Sequence, residues 1–158
     1  MYANFIKRFI DIVLSLITLL LLSPLLLLIS FIIKIVDSGH IFFVSQRAGR
    51  DGQIFDFYKF RSMPPSTKVV ASDKLGEIKI TWFGRFIRRL NLDELPQLWN
   101  ILKGDMSIIG PRPSLVSQKE LIGLRRKNGA LDCRPGLTGL AQVNSFDGMS
   151  FILKANFD

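Results

Sequence analysis

Cysteine and histidine are almost missing: Cys133 and His40 stand alone among 158 residues. A single thiol closes no disulfide within the chain, and one imidazole beside one thiol supports neither a zinc cluster nor a Cys/His nucleophile pair. Acidic residues are scarce as well, 13 against 21 Lys plus Arg, which leaves a net charge of +8. Charge of either sign is absent from the 22 residues 12–33. Internal repeats and low-complexity tracts are lacking, and the composition excludes a collagenous, a disordered or a disulfide-stapled chain. About 120 residues remain beyond the uncharged run, enough to close one modest core but not two.

What is present divides in two. The chain is 48% hydrophobic despite its basic balance, because the apolar and charged residues occupy different segments: residues 38–158 hold 18 basic and 11 acidic side chains. Of the 22 uncharged residues, 17 are Leu, Ile, Val or Phe, and a helix of that length reaches ~33 Å, about the hydrocarbon thickness of a bilayer. A cleaved signal peptide fits poorly, since the apolar core is too long and Lys34-Ile35-Val36-Asp37 follows it without a small-x-small site. Ser23-Pro24 interrupts the run, and proline removes a helical hydrogen bond at a cost of ~3 kcal/mol. A kink is expected there, with the Ser23 hydroxyl able to satisfy the freed carbonyl. Lys7 and Arg8 precede the run, and Lys34, Arg47 and Arg50 follow it. A spanning helix must place one basic flank on the disfavoured side, whereas one that bends at Pro24 and returns avoids the conflict. Both the re-entrant and the kinked spanning helix remain open on these grounds.

Beyond the anchor, Ile41-Phe42-Phe43-Val44 and Ile54-Phe55-Asp56-Phe57-Tyr58 read as strands of a hairpin closed by Gly49-Arg50-Asp51-Gly52. Residues 63–77, with Pro64-Pro65, lack periodicity and read as a loop. Phe83, Phe86, Ile87 and Leu90 recur at helical spacing and leave Arg85, Arg88 and Arg89 on the other face. A second helix should carry Leu95, Leu98, Trp99 and Leu102 toward a core and stop at Lys103-Gly104. Residues 107–110 form a short apolar run closed by Pro111-Arg112-Pro113, residues 114–127 suit a helix with a basic end, and residues 135–144 suit a turn followed by a short strand.

Asp93 and Glu94 fall at the start of that second helix, where exposed amides and the helix dipole favour negative charge, so capping alone would account for them. Their neighbours Arg85, Arg88 and Arg89 add another reading. A carboxylate kept ionised by cations is a competent nucleophile toward phosphorus and, with a second carboxylate, a hard-oxygen ligand for magnesium. Arg112, between two prolines, sits on a backbone of few accessible states and suits a phosphate, although a merely solvated turn is also consistent. The basic surface as a whole fits anionic lipid head groups better than nucleic acid, because the anchor holds it at the membrane.

The chain resembles a known family through Lys7-Arg8-Phe9-Ile10-Asp11, Ser23-Pro24, Gln46-Arg47-Ala48-Gly49, Lys59-Phe60-Arg61-Ser62-Met63, Gly84-Arg85-Phe86-Ile87-Arg88, Leu92-Asp93-Glu94-Leu95-Pro96-Gln97, Gly110-Pro111-Arg112-Pro113 and Arg134-Pro135-Gly136-Leu137-Thr138-Gly139. In that order these motifs are similar to those of the bacterial sugar transferases, monotopic phosphoglycosyl transferases of membrane glycan assembly. The resemblance implies an α+β chain: a re-entrant membrane helix over 1–37 broken at Ser23-Pro24, then a small, mostly helical cytoplasmic domain over 38–158 with a short β-hairpin. It implies a magnesium-dependent transfer of a phosphosugar from a UDP-sugar to polyprenyl phosphate at the cytoplasmic face of the bacterial inner membrane. Asp93 would be the nucleophile, Glu94 its partner and metal ligand, and Lys59, Arg61, Arg85, Arg88, Pro111, Arg112 and Pro113 would line the substrates. Membrane phospholipid and downstream glycosyltransferases are the other implied partners, with no nucleic acid. Family members continue through a further acidic and aromatic segment, so the domain is expected to be truncated at Asp158.

Overall fold

A computed structural model of the chain describes residues 2–37, 39–63, 80–144 and 149–158. Helix α1 (Tyr2–Asp37) contains the whole apolar run and continues through Pro24. The expected break is therefore not an interruption of the helix. Pro24 offers no N–H to the Leu20 carbonyl, and the Ser23 hydroxyl takes its place, donating to that oxygen at 2.8 Å. At ~1.5 Å per residue α1 is ~54 Å long if straight, well beyond the ~30 Å of a bilayer core.

One stripe of α1 packs against the rest of the chain along nearly its whole length. Asp11 accepts from Ser107 Oγ at 2.8 Å and from the Ile108 N–H at 3.1 Å, and Lys7 donates to Ser107 and to the Ile109 carbonyl. Arg8 donates to the carbonyls of Ile101 and Leu102. Farther along, Leu19 packs on a core cluster of Phe57, Leu98, Ile101 and Met106. Ile29 and Ile33 belong to a second cluster with Phe60, Phe83 and Ile87. The other faces leave Phe5, Phe9, Leu20, Leu21, Leu27 and Phe31 exposed.

Strands β1 (Phe42–Ala48) and β2 (Ile54–Phe60) pair antiparallel, with Phe42 opposite Phe60 and Ala48 opposite Ile54. Asp51 and Gly52, at φ 57° and 77°, make the reversal between them. The hairpin is longer than its sequence pattern suggests, and β4 (Ser114–Leu115) pairs with Arg47 and Ala48 on the far side of β1. Those residues were expected to open a helix; α4 begins only at Lys119 and runs to Lys127. A second, two-stranded sheet joins β3 (Ser107–Ile109) parallel to β5 (Gly136–Thr138). The two backbones press so close that a Cβ on Gly136 would meet the Gly110 nitrogen at 2.1 Å. The remaining helices are α2 (Trp82–Arg89), α3 (Gln97–Lys103), α5 (Leu140–Val143) and α6 (Phe151–Phe157). Residues 64–79, most of the expected loop, lie outside the described residues.

Two helices bury only part of the faces expected: Phe83, Ile87 and Leu98 are in the core, and other apolar residues of the same pattern are not. In α2 the buried residues are Phe83, Gly84 and Ile87, while Trp82, Phe86 and Leu90 are exposed beside Arg85 and Arg89. In α3 the buried face is Gln97, Leu98, Asn100 and Ile101, and Trp99 is 55% exposed rather than turned into a core. Trp99 lines an apolar cleft of about 570 Å³ with Leu19, Ser23, Leu26, Tyr58 and Pro96. Helical spacing separates apolar from polar faces, but an apolar face need not be a core face.

Candidate active site

The site forms where α2, a 3₁₀ turn over Leu92–Glu94, strand β2 and the Pro111-Arg112-Pro113 turn converge. Thr81 caps α2 by accepting from the Gly84 N–H at 3.0 Å. Gly84 lets the first turn of α2 lie on the strand exit, since a Cβ there would meet the Ser62 carbonyl oxygen at 2.1 Å. After α2 the chain reverses at Asn91, in the left-handed region at φ 55°, a conformation asparagine tolerates better than most residues. Leu92 then packs on the cluster of Phe60 and Ile87, and Leu95 on that of Leu98 and Ile101. Asp93 and Glu94 lie between these two apolar plugs, and neither caps α3, which starts at Gln97 after Pro96.

Lys59 reaches the turn from β2. Its Nζ lies 2.5 Å from Glu94 Oε1 and 3.9 Å from Asp93 Oδ2. Arg112 donates from Nη2 to the same Glu94 Oε1 at 3.2 Å. Asn100, fully buried, fixes β2 against α3: Nδ2 donates to the Asp56 carbonyl at 2.7 Å and to Asp105 at 3.1 Å, while Oδ1 accepts from the Tyr58 N–H at 3.2 Å. Two of these bonds hold β2 at Asp56 and Tyr58, three residues and one residue before Lys59, and so help to set its register against the dyad.

The electrostatics separate the two carboxyls. Asp93, 6% exposed, is held above the ordinary aspartate range mainly by burial and further by Glu94, with Lys59 and Arg88 pulling the other way. For Glu94 burial pushes up as well, but Lys59 and Arg112 outweigh it and hold the carboxyl below its usual value. Lys59 is lowered by burial, which its two carboxylate neighbours oppose. Arg47, 5.1 Å above the Phe57 ring, is brought down to about 10 by burial and by Arg112. Two buried donors nearby in sequence, Arg88 Nη1 and Gln97 Nε2, have no hydrogen-bond partner among the described residues. Four cations, Lys59, Arg112, Arg47 and Arg88, therefore act on two carboxylates.

The residues singled out from the sequence distribute as follows. Asp93, Glu94, Lys59 and Arg112 meet directly. Arg88 acts on Asp93 through its charge, and Pro111 and Pro113 are buried on either side of Arg112. Arg85 points into solvent and Arg61 is partly buried; neither has a polar side-chain contact with the dyad. Ser23 and Pro24 belong to α1, and Ser23 lines the apolar cleft with Pro96, two residues beyond Glu94. Arg47 was legible as a flanking charge and within the motif Gln46-Arg47-Ala48-Gly49 but not as a site residue, because the apolar pattern of β1 stops at Val44 while the strand continues to Ala48. Among the described residues no cluster of three or more His, Cys, Asp or Glu side chains could hold a metal ion.

A pair of carboxylates set among excess cations is an arrangement suited to a phosphate-bearing ligand. Over residues 2–158 the sequence matches the family described as bacterial sugar transferase, and the chain belongs to that family. It is 42% identical over 152 residues to the UDP-glucose:undecaprenyl-phosphate glucose-1-phosphate transferase of Klebsiella pneumoniae, covering 90% of this chain and 31% of that protein. It is 38% identical over 178 residues to the undecaprenyl-phosphate galactose phosphotransferase of Salmonella typhimurium, covering 99% and 36%. To the exopolysaccharide production protein ExoY of Sinorhizobium fredii it is 37% identical over 169 residues, covering 96% and 74%. The chain thus spans about a third of the first two relatives and about three quarters of the third.

Proposed function

We propose that the protein transfers a phosphosugar from a UDP-sugar to a polyprenyl phosphate, through a covalent intermediate on Asp93. The observation that carries this reading is the charge balance at the dyad, where four cations act on two carboxylates. The surplus suits a diphosphate, and the relatives are named for undecaprenyl-phosphate and UDP-sugar chemistry. Asp93 Oδ attacks the sugar-side phosphorus, the bond to the bridging oxygen breaks, and UMP leaves with that oxygen. An oxygen of the polyprenyl phosphate then attacks the aspartyl phosphorus, which restores the carboxylate and yields the polyprenyl diphosphate sugar. Burial makes Asp93 more basic than an ordinary aspartate, hence a better nucleophile once ionised. Lys59 and Arg112 hold Glu94 ionised and orient the phosphoryl oxygens.

Magnesium suits this site, because that ion is commonly held by one or two carboxylates together with substrate phosphates, and it would supply charge neutralisation of the diphosphate. Both cation contacts of Glu94 fall on Oε1, so Oε2 is the ligand atom on offer. The topology we favour is re-entrant, with both ends of α1 on the cytoplasmic face of the bacterial inner membrane. Lys7, Arg8 and Asp11 near one end, and Ile29 and Ile33 near the other, pack on the same polar domain. A helix crossing the bilayer would carry one of these contacts to the opposite side. Membrane phospholipid surrounds the exposed faces of α1, and glycosyltransferases that extend the lipid-linked sugar act next.

The deciding experiment incubates the protein with UDP-sugars in the absence of acceptor. Release of UMP with a phosphosugar mass on the Asp93 peptide is expected. Turnover with polyprenyl phosphate but no adduct would replace the two-step route by direct transfer. Absence of UMP with every UDP-sugar, acceptor present, would overturn the activity and leave a basic lipid-binding module.

A further inference from the structure

The turn that carries Arg112 is gripped by three consecutive carbonyls. Pro111 O accepts from the Gly136 N–H at 2.8 Å, Arg112 O from Arg125 Nη1 at 2.7 Å, and Pro113 O from Arg47 Nη1 at 3.4 Å. The two prolines have no N–H, so these oxygens are the chief polar handles on the turn. Arg125 comes from α4 and is 3% exposed. Its Nε donates to Asp158 Oδ2 at 2.6 Å, and Nη2 lies 2.5 Å from the same oxygen. Asn128, at the end of α4, donates to the Ala155 carbonyl of α6 at 2.5 Å, so α4 and α6 hold this ion pair between them.

A buried ion pair is a poor way to stabilise a core, since apolar side chains of similar volume commonly do as well or better. What a guanidinium provides here and an apolar side chain does not is the bond to the Arg112 carbonyl. We infer that Arg125 is a positioning residue for Arg112, held in turn by Asp158, so that α4 and α6 set where the Arg112 guanidinium meets Glu94. On the function proposed above, this same bond places Arg112 on the substrate diphosphate. The guanidinium is suited to the task because its planar fork serves a carbonyl on one edge and a carboxylate on the other.

The test is a double-mutant cycle on the full chain in lipid nanodiscs, with hydrogen exchange read on the same samples. Arg125→Lys is expected to lower kcat/KM for the UDP-sugar about tenfold, and to cost much less in an Arg112→Lys background, because the two changes damage one arrangement. Losses that simply multiply would make Arg125 a structural residue and overturn the inference. Independently of activity, Arg125→Lys and Asp158→Asn should speed amide exchange in the peptide from Arg112 to Leu115 while leaving α3 unchanged. Unaltered exchange in that peptide, or acceleration spread evenly over the chain, would also overturn it. Should the unsubstituted protein release no UMP, the activity fails alone, and the exchange pattern still decides the positioning role.

Discussion

The two ends of α3 are both surrounded by basic residues, and they use them in opposite ways. At the C-terminal end Arg8 donates to the carbonyls of Ile101 and Leu102, and Arg134 donates to that of Gly104. These cations answer the orphan carbonyls and negative dipole end of a seven-residue helix, so their donors are already committed. Before the N-terminal end Lys59 and Arg112 meet a carboxylate in a turn, and Arg88 keeps a buried donor unpaired among the described residues. An arginine on a backbone carbonyl is bound into the fold, whereas one on a carboxylate can be shared with an incoming phosphate. Composition counts the two sets alike.

Substitutions at the two ends should therefore fail differently. The largest effect is expected from Asp93→Asn, which should lower turnover by roughly 10³-fold or more and abolish the phosphosugar adduct, with thermal stability nearly intact. Recovery of an adduct on Glu94 would reverse the assignment within the dyad. Arg112→Lys should cost roughly 10²-fold in kcat/KM, since the ammonium keeps the charge but not the planar pair of donors. Kinetics unchanged by that substitution would leave Arg112 a solvated turn residue. At the other end Arg8→Gln should remove about 1.5–3 kcal/mol of stability, the range for hydrogen bonds to charged groups. Its kcat/KM below the melting transition should stay within about threefold of the parent's, because no substrate contact is lost. A catalytic loss as large as that of Arg112→Lys would erase the distinction between the ends. The smallest effect is a shift. Burial holds Asp93 above the ordinary range and Arg88 pulls it down, so the acid limb of kcat/KM should lie above the usual aspartate value. Arg88→Met should move that limb to higher pH, whereas movement to lower pH would assign it to another group.

Much of this was legible in the residues. The long apolar helix showed in its length and lack of charge, the hairpin in its alternation around Gly49-Arg50-Asp51-Gly52, and the hydroxyl that serves the proline gap in Ser23 standing beside Pro24. The dyad with Lys59 and Arg112 came from motif order, not from spacing, because Lys59 and Glu94 are 35 residues apart and tertiary contacts, the Asn100 bridge and the packing of Leu92 and Leu95, set their approach. Hidden from the sequence were the pairings of two- and three-residue strands, too short to show a period, and the faces of α2 and α3. Trp82, Phe86 and Leu90 have the spacing of a core stripe and yet lie outside, because periodicity marks an apolar face without saying what covers it. Arg125 looked like the basic end of a surface helix, and only burial distinguishes it from Arg126.

The stripe on α1 also governs how the protein comes into being. Asp11, Leu19, Ile29 and Ile33 contribute to both core clusters and to the β3 contact, and burying each of those aliphatic side chains is worth ~1.5–3 kcal/mol. Folding of the polar part and docking of the helix are consequently one event. Without residues 1–37, the sides of both clusters that now meet the helix would be open to water, and the remainder should be recovered in inclusion bodies rather than as a soluble protein. The helix is thus the template on which the polar segments close, and neither should keep its shape apart from the other.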